Sequence, residues 1–129
     1  MQVPEIRKES PDVIRDMDFI RDILRKIEDD PQADRRHDIP YATPEDHTTA
    51  ELVYHLELLL DAGFVDANVS MLPPIVRGLT WNGHEFLANI KNDDIWEQTK
   101  QHFAGAAGVG LRVLADFAEK LVMKKYGLT

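Results

Sequence analysis

Apolar residues recur at steps of three and four positions along much of the chain, which is the spacing that places them on one face of an α-helix. In the first such stretch Asp12 is positioned to cap the helix, and Asp29-Asp30-Pro31 is expected to end it. The residues that form this first stripe are Val13, Met17, Ile20, Ile23, Leu24 and Ile27. The pattern predicts an amphipathic helix that follows a polar, proline-containing arm at residues 1–11.

A second helix is predicted to begin after Thr48. The run Thr48-Thr49-Ala50-Glu51 has the form of a capping box, and Gly63 supplies the left-handed residue that commonly follows a helix. Its inward stripe is predicted to be Leu52, Leu56, Leu59 and Leu60. The preceding residues 31–47 are polar and rich in turn formers, and we interpret them as a loop with one short extended piece around Ile39 and Tyr41.

Two β-prone runs follow directly, Phe64–Val69 and Ile75–Leu79, with Pro73-Pro74 between them. They predict a β-hairpin. A helix that ends at Gly63 and leads straight into a hairpin is the winged-helix arrangement, in which that helix enters the major groove in DNA-binding proteins.

Three more helices are predicted after the hairpin. Thr80 caps the first, with Trp81, Phe86, Leu87 and Ile90 inward, and Asn92-Asp93-Asp94 starts the next, which carries Ile95, Trp96 and Phe103. The last helix ends at Gly127, and its apolar side comprises Leu111, Leu114, Phe117, Ala118, Leu121 and Val122. The predicted fold is therefore mostly α with a small β-hairpin. We interpret it as a winged-helix domain at 12–104, followed at 105–129 by a glycine hinge and a C-terminal amphipathic helix.

Composition narrows the class of protein. The 129 residues suit one domain, and the absence of cysteine excludes disulfides, thiolate zinc sites and a cysteine nucleophile. The first residues do not resemble a secretory signal, and no stretch is apolar enough to cross a membrane. We expect a cytoplasmic protein with no membrane contact.

Charge is distributed unevenly along the chain. The net charge is −8, and residues 1–63 carry 16 acidic and 8 basic side chains, whereas residues 64–129 carry 7 of each. Nucleic-acid-binding proteins usually present a basic patch, because phosphate contacts supply most of the non-specific affinity. The half of the chain that contains the candidate recognition helix shows the opposite sign.

The residues expected to face outward from that helix and its surroundings are the candidate contact residues, for either DNA or a protein partner. Base reading relies on arginine, lysine, asparagine and glutamine, yet residues 44–63 contain five acidic residues and no lysine or arginine. Arg77 is the only basic residue of the hairpin, and Arg35 and Arg36 lie in the earlier loop. The full candidate set is Thr49, Val53, Tyr54, Glu57, Arg77, Arg35 and Arg36.

No catalytic, metal or cofactor site is predicted. His37 and His47 share a loop with Asp34, Asp38 and Asp46, but their spacing fits no metal template. His55 is interpreted as a surface or packing residue of its helix, and His84 as a residue that seats its helix on the hairpin. The paired aspartates at 29–30 and 93–94 are better explained as helix boundaries than as acid–base catalysts.

The last helix leaves two alternatives open. It either folds back onto its own domain or forms a dimer contact through Leu111, Leu114, Phe117 and Leu121. The glycine-rich stretch before it, residues 105–110, permits either course.

Three blocks of sequence resemble a family of bacterial and phage proteins known as domain of unknown function 2513. The likeness runs from about Arg15 to Trp96 and lies in Arg15–Arg21, in Tyr54–Phe64 and in Leu79–Leu87 with Asp94-Ile95-Trp96. The resemblance implies a winged-helix fold, frequent association with phages or prophages, and no established activity. The resulting hypothesis is a non-enzymatic regulatory or accessory protein that binds a partner protein. The alternative is a DNA-binding transcriptional regulator that uses helix 49–62 and the wing 64–79.

Overall fold

The computed structural model describes residues 14–30, 38–104 and 108–128 of the chain. Within these ranges the chain forms five helices and three short strands in the order α1, β1, α2, β2, β3, α3, α4, α5. The helices are α1 (Met17–Asp29), α2 (Thr49–Asp61), α3 (Trp81–Ile90), α4 (Asp93–His102) and α5 (Leu111–Lys125); the strands are β1 (Ile39–Pro40), β2 (Val65–Asn68) and β3 (Ile75–Leu79). The prediction of a mostly helical chain with a small β-hairpin is confirmed.

Helix α1 begins later than its hydrophobic stripe suggested. Its N-cap is Asp16, whose side chain accepts a hydrogen bond from the backbone N–H of Phe19 at 3.2 Å. Asp12 and Val13, which were predicted to cap the helix and open its stripe, lie outside the described residues, and Ile14 precedes the helix with its side chain exposed. The correction arises because the chain offers a second capping aspartate four residues further on, and a cap is selected by its backbone geometry as well as its residue type.

The observed helix α2 agrees closely with the helix predicted from the sequence. Thr48 and Glu51 form the predicted capping box, with the Thr48 N–H donating to Glu51 Oε1 at 2.8 Å and the Glu51 N–H donating to Thr48 Oγ1 at 3.1 Å. Leu52, Leu56 and Leu59 are buried and Leu60 is half-buried. Gly63 ends the helix with a φ of 81°, and the chain enters β2 with Phe64 already buried.

The sheet has three antiparallel strands in the order β1-β3-β2. The hairpin pairs Val65 with Leu79 and Asn68 with Ile75, and an irregularity between Asp66 and Ala67 shifts the register. The short extended piece expected around Ile39 exists as β1, which pairs with β3 and brings Tyr41 into the core.

The core lies between α1, α2, the sheet and the three later helices. Helix α3 packs against α1 and α5, and α5 packs also against α4. Gly83 permits the closest of these approaches, because a Cβ at this position would lie 1.9 Å from the carbonyl oxygen of Phe64. No helix of the described chain is long and apolar enough to span a membrane.

Candidate functional site

The exposed side of α2 carries four of the predicted contact residues. Thr49, Val53 and Glu57 are spaced four residues apart, so they form one stripe along the helix; Thr49 and Glu57 are exposed and Val53 is half-buried. Tyr54 is also half-buried, with its ring edge-on to that of His55 at a centroid distance of 5.1 Å. The structure therefore brings these four residues to one surface, which we call the α2 face.

Arg77, the only lysine or arginine between residues 37 and 90, is engaged by two carboxylates. Its Nε lies 2.7 Å from Asp38 Oδ1, and one terminal nitrogen lies 3.3 Å from Asp66 Oδ1. Since Asp38 precedes β1 and Asp66 belongs to β2, the guanidinium lies across the sheet from one edge strand to the other. A side chain predicted to contact phosphate is thus already bound within the chain. Arg35 and Arg36, predicted to support it, lie outside the described residues.

The histidine of α2 is buried, and both of its ring nitrogens are engaged. Nδ1 donates to the carbonyl of Glu51 at 2.7 Å, and Nε2 accepts from the backbone N–H of Asp16 at 2.8 Å. This pairing fixes the neutral tautomer with the proton on Nδ1, and burial lowers the pKa of His55. His55 is therefore a packing residue, as one of the two sequence interpretations held, and it has no nitrogen left for a metal or a substrate proton.

A surface cavity of about 610 Å³ lies in front of this histidine and is bordered by His47, Asp16, Asp18 and Lys100. His47 stacks flat on Phe19, with a centroid distance of 3.6 Å, and its Nδ1 lies 3.0 Å from Asp46 Oδ1. His37, the other histidine of the predicted polar loop, lies outside the described residues. Among the residues with described positions, no group of three or more histidine, aspartate or glutamate side chains is arranged to hold a metal ion.

His84 does not seat its helix on the hairpin as predicted. It is exposed, and its Nδ1 lies 3.6 Å from Glu28 Oε2 on α1. The same carboxylate group accepts a hydrogen bond from Lys91 Nζ at 2.5 Å, which lowers the pKa of Glu28. The sequence showed that His84 belongs to α3, but it did not show which element His84 contacts. That element is α1, because α3 packs against α1.

The C-terminal helix folds back onto its own chain. Leu111 and Leu114 are buried against α3 and α4, so they are not available to a second copy while α5 stays packed. Phe117 and Leu121 are half-buried, and the ring of Phe117 stacks on His102 at 4.1 Å. The first of the two alternatives for this helix therefore describes the structure of the single chain.

One feature was missed by the sequence interpretation. Trp81, assigned to the inward stripe of α3, is 76% exposed. A groove of about 430 Å³, lined in part by Asn82 and Glu85 of the same helix, runs between α3 and α5. The correction has a simple cause, because Trp81 and Ile90 are nine residues apart and point to opposite sides of a helix with 3.6 residues per turn. Gly83, which is buried, continues the stripe of Phe86, Leu87 and Ile90 instead.

Comparison with known proteins identifies relatives without a stated activity. The model of the family described as "Hypothetical protein (DUF2513)" matches residues 14–110. A Haemophilus influenzae protein named "Uncharacterized protein" is 38% identical over 91 residues, which cover 67% of this chain and 75% of the relative. No solved structure matches the chain.

Proposed function

The chain belongs to the DUF2513 family, and from this premise we propose that it is a non-enzymatic winged-helix protein that binds a partner protein through the α2 face. Its role in this proposal is regulatory or accessory. A phage or prophage setting is part of the proposal and rests on the family resemblance alone.

The winged-helix interpretation is supported by the order of the elements. A helix, a short strand, a second helix and a two-strand hairpin follow one another, and the short strand joins the hairpin in the order β1-β3-β2. Only Ala62-Gly63-Phe64 separates α2 from β2, so the helix and the hairpin lie side by side. This is the arrangement from which the hypothesis of a recognition helix and a wing arose.

The observation that carries the choice of partner is the pairing of Arg77. With its guanidinium bound to Asp38 and Asp66, the surface formed by α2 and the hairpin offers acidic side chains and no uncommitted lysine or arginine. Glu57 and Asp61 are exposed on α2, and Glu45 and Asp46 are exposed just before it. An acidic surface repels nucleic acid and attracts basic protein partners.

The half-buried side chains of the α2 face suit a protein contact. Tyr54 offers a ring and a hydroxyl, and tyrosine is enriched among the residues that dominate protein interfaces. Val53 adds an apolar contact beside it, and Glu57 supplies charge at the rim. We infer a partner surface that is apolar at its centre and basic at its edge.

A direct test combines DNA binding with site-specific cross-linking. We expect labelled duplex DNA at low salt to give no complex with the protein at micromolar concentration. A photoreactive phenylalanine analogue at Tyr54, expressed in a bacterial host that carries the gene, should yield a protein adduct that Glu57→Lys abolishes. The matched control carries the analogue at Val113, which is exposed on α5, and should not yield that adduct.

DNA binding remains the second candidate because α2 leads directly into the hairpin. In that mode Thr49 and Tyr54 would contact the duplex, and Arg77 would have to leave Asp38 and Asp66. A low-salt DNA complex whose affinity falls steeply as salt rises, and which Tyr54→Ala weakens, would replace the protein-partner proposal with this one.

A further inference from the structure

The groove between α3 and α5 has a mixed lining of apolar and polar side chains. Phe64 and Phe86, which pack with ring centroids 4.8 Å apart, line its base, and Val122 and Met123 of α5 are half-buried along its side. Gly83 brings α3 against the backbone of Phe64, one of the residues that line the groove. It lies on elements distinct from α2, so it is a separate surface from the α2 face.

The charges along the groove are unbalanced. Glu85 of α3 and Asp116 and Glu119 of α5 line it together with one basic residue, Arg112. All four side chains are exposed. In contrast to Arg77, Lys91 and Lys100, none of the four takes part in an ion pair within the described ranges, although Arg112 and Asp116 are only one helical turn apart. The groove therefore presents an excess of uncommitted carboxylates.

Trp81 lies on the same helix as Glu85 but outside the residues that line the groove. It lies four residues before Glu85 on α3, so the two side chains are neighbours about 5–6 Å apart at Cβ, and the indole is 76% exposed. A single exposed apolar residue is ordinary, but a tryptophan one helical turn from a residue of the groove has the size and position of an interface anchor. The second tryptophan, Trp96, is fully buried and hydrogen-bonded to Asp18.

We propose that this groove, lined by Glu85, Asp116 and Glu119, together with the neighbouring exposed Trp81, binds a lysine- or arginine-rich amphipathic helix of a partner protein. The apolar side of that helix lies on Ala115, Val122 and Met123, above the buried rings of Phe64 and Phe86, and its basic side chains meet the three carboxylates. The charge of the groove selects this occupant, because an acidic segment would meet three carboxylates and only one arginine, Arg112.

The dimensions are consistent with a helical occupant. The α5 residues that line the groove extend from Arg112 to Met123, which at 1.5 Å per residue is roughly 16 Å, or three turns of a helix. A helix laid into an apolar groove formed by two other helices is an established mode of peptide recognition. Such a helix would lie between α3 and α5, and the core would not have to move.

The test uses the full chain and a synthetic helical peptide with leucine on one face and lysine on the other. Two matched peptides serve as controls, one with glutamate in place of lysine and one of the same composition with the amphipathic order scrambled. Fluorescence anisotropy of the labelled lysine peptide should show saturable binding that neither control peptide reproduces. On binding, the emission of the protein should shift to shorter wavelength because Trp81 leaves water.

Variants assign the binding to the groove. Glu85→Lys combined with Glu119→Lys should weaken binding about tenfold or more, which corresponds to at least ~1.4 kcal/mol. The fluorescence emission of the buried Trp96 should stay unchanged and report an intact fold. Trp81→Phe should remove the emission shift. Glu57→Lys, which alters the α2 face by the same charge, should leave binding unchanged.

Several outcomes overturn the proposal. They are the absence of binding at low salt, equal binding of the glutamate or scrambled peptide, and binding that the groove variants do not weaken. A homodimer of the 14.7 kDa chain in which Trp81 is shielded also overturns it, because a second copy would then be the occupant. If Glu57→Lys abolishes binding and the groove variants do not, the groove proposal fails and the proposal for the α2 face stands.

Discussion

The backbone N–H of Asp16 donates a hydrogen bond to Nε2 of His55 at 2.8 Å. The bond joins the residue that caps α1 to the middle of α2, and it exists only while the ring is neutral at that nitrogen. A protonated ring would set an N–H against the N–H of Asp16. The attachment of the first helix to the second is therefore coupled to pH.

This coupling predicts how stability depends on pH. Burial lowers the pKa of His55 below its ordinary value of 6.5, so the unfolded chain takes up a proton before the folded chain does as the pH falls. The free energy of unfolding should be highest above pH 6.5 and should decrease as the pH drops below it. Urea unfolding measured at several pH values would show this slope.

The variant His55→Gln isolates the effect of this histidine. The glutamine amide oxygen can accept from Asp16 N–H but does not titrate, so the stability of the variant should fall less than that of the native chain between about pH 7 and pH 5. Parallel curves for the two proteins would contradict the assignment. The window lies above the ordinary value of 4.5 for Glu28, whose own lowered pKa makes its contribution disappear only in more acidic solution.

Gly83→Ala should be strongly destabilising. The added Cβ would lie 1.9 Å from the carbonyl oxygen of Phe64 and 2.9 Å from its carbonyl carbon, so α3 or the start of β2 must move. Overpacking of this kind costs about 1–3 kcal/mol, which denaturant unfolding can measure. Gly108→Ala is the matched control, because its Cβ would meet nothing within 4 Å; a similar loss at both positions would refute the explanation.

Asp18 should stabilise the chain mainly as an acceptor for Trp96. Its Oδ1 accepts from the indole N–H at 2.8 Å, and it also accepts from Lys100 at 2.8 Å. The hydrogen bond from Lys100, followed by that from Trp96, lowers the pKa of Asp18. Asp18→Ala leaves the indole N–H without this acceptor and should cost about 1–3 kcal/mol.

Asp18→Asn is the informative comparison. It keeps an oxygen for the indole N–H but removes the charge, so its loss should be at most about 1 kcal/mol, as for other exposed ion pairs. Thermal unfolding followed by near-ultraviolet circular dichroism would compare the two variants. If Asn is as damaging as Ala, the ion pair with Lys100 and not the indole hydrogen bond is the important interaction.

Helix α5 should behave as part of the core. Leu114 is fully buried, and truncation of a buried leucine to alanine typically costs about 2–5 kcal/mol. Leu114→Ala should therefore lower the free energy of unfolding by an amount in this range, whereas Val113→Ala, at a position 52% exposed on the same helix, should have little effect. Light scattering should report no change of mass for either variant; a dimer that Leu114→Ala dissociates would revive the proposed dimer contact of this helix.

The sequence predicted those parts of the fold that depend on local signals. The capping box at Thr48 and Glu51, the turn at Gly63 and the leucine stripe of α2 involve neighbours within a few residues, and all are present in the structure. The two strands of the hairpin were predicted for the same reason. Local patterns of this kind report directly on backbone conformation and burial.

Features that depend on distant neighbours were harder to predict. The pairing of Arg77 with Asp38 requires β1 to lie beside β3, and the contact of His84 with Glu28 requires α3 to cross α1. The spacing of residues along a single element predicts neither arrangement. Trp81 is different, because the sequence alone gives its angular position around the helix relative to Ile90. A comparison of these two positions would have predicted that Trp81 is exposed.

The composition of the sheet also bears on how the protein behaves at high concentration. One outer strand is two residues long and ends in Pro40, which has no backbone N–H to offer, and the other is four residues long and carries Asp66. Short outer strands that contain proline or charge are poor templates for the addition of a foreign strand. The sheet is thereby protected at both borders against edge-to-edge aggregation, even though its central strand is rich in β-forming residues.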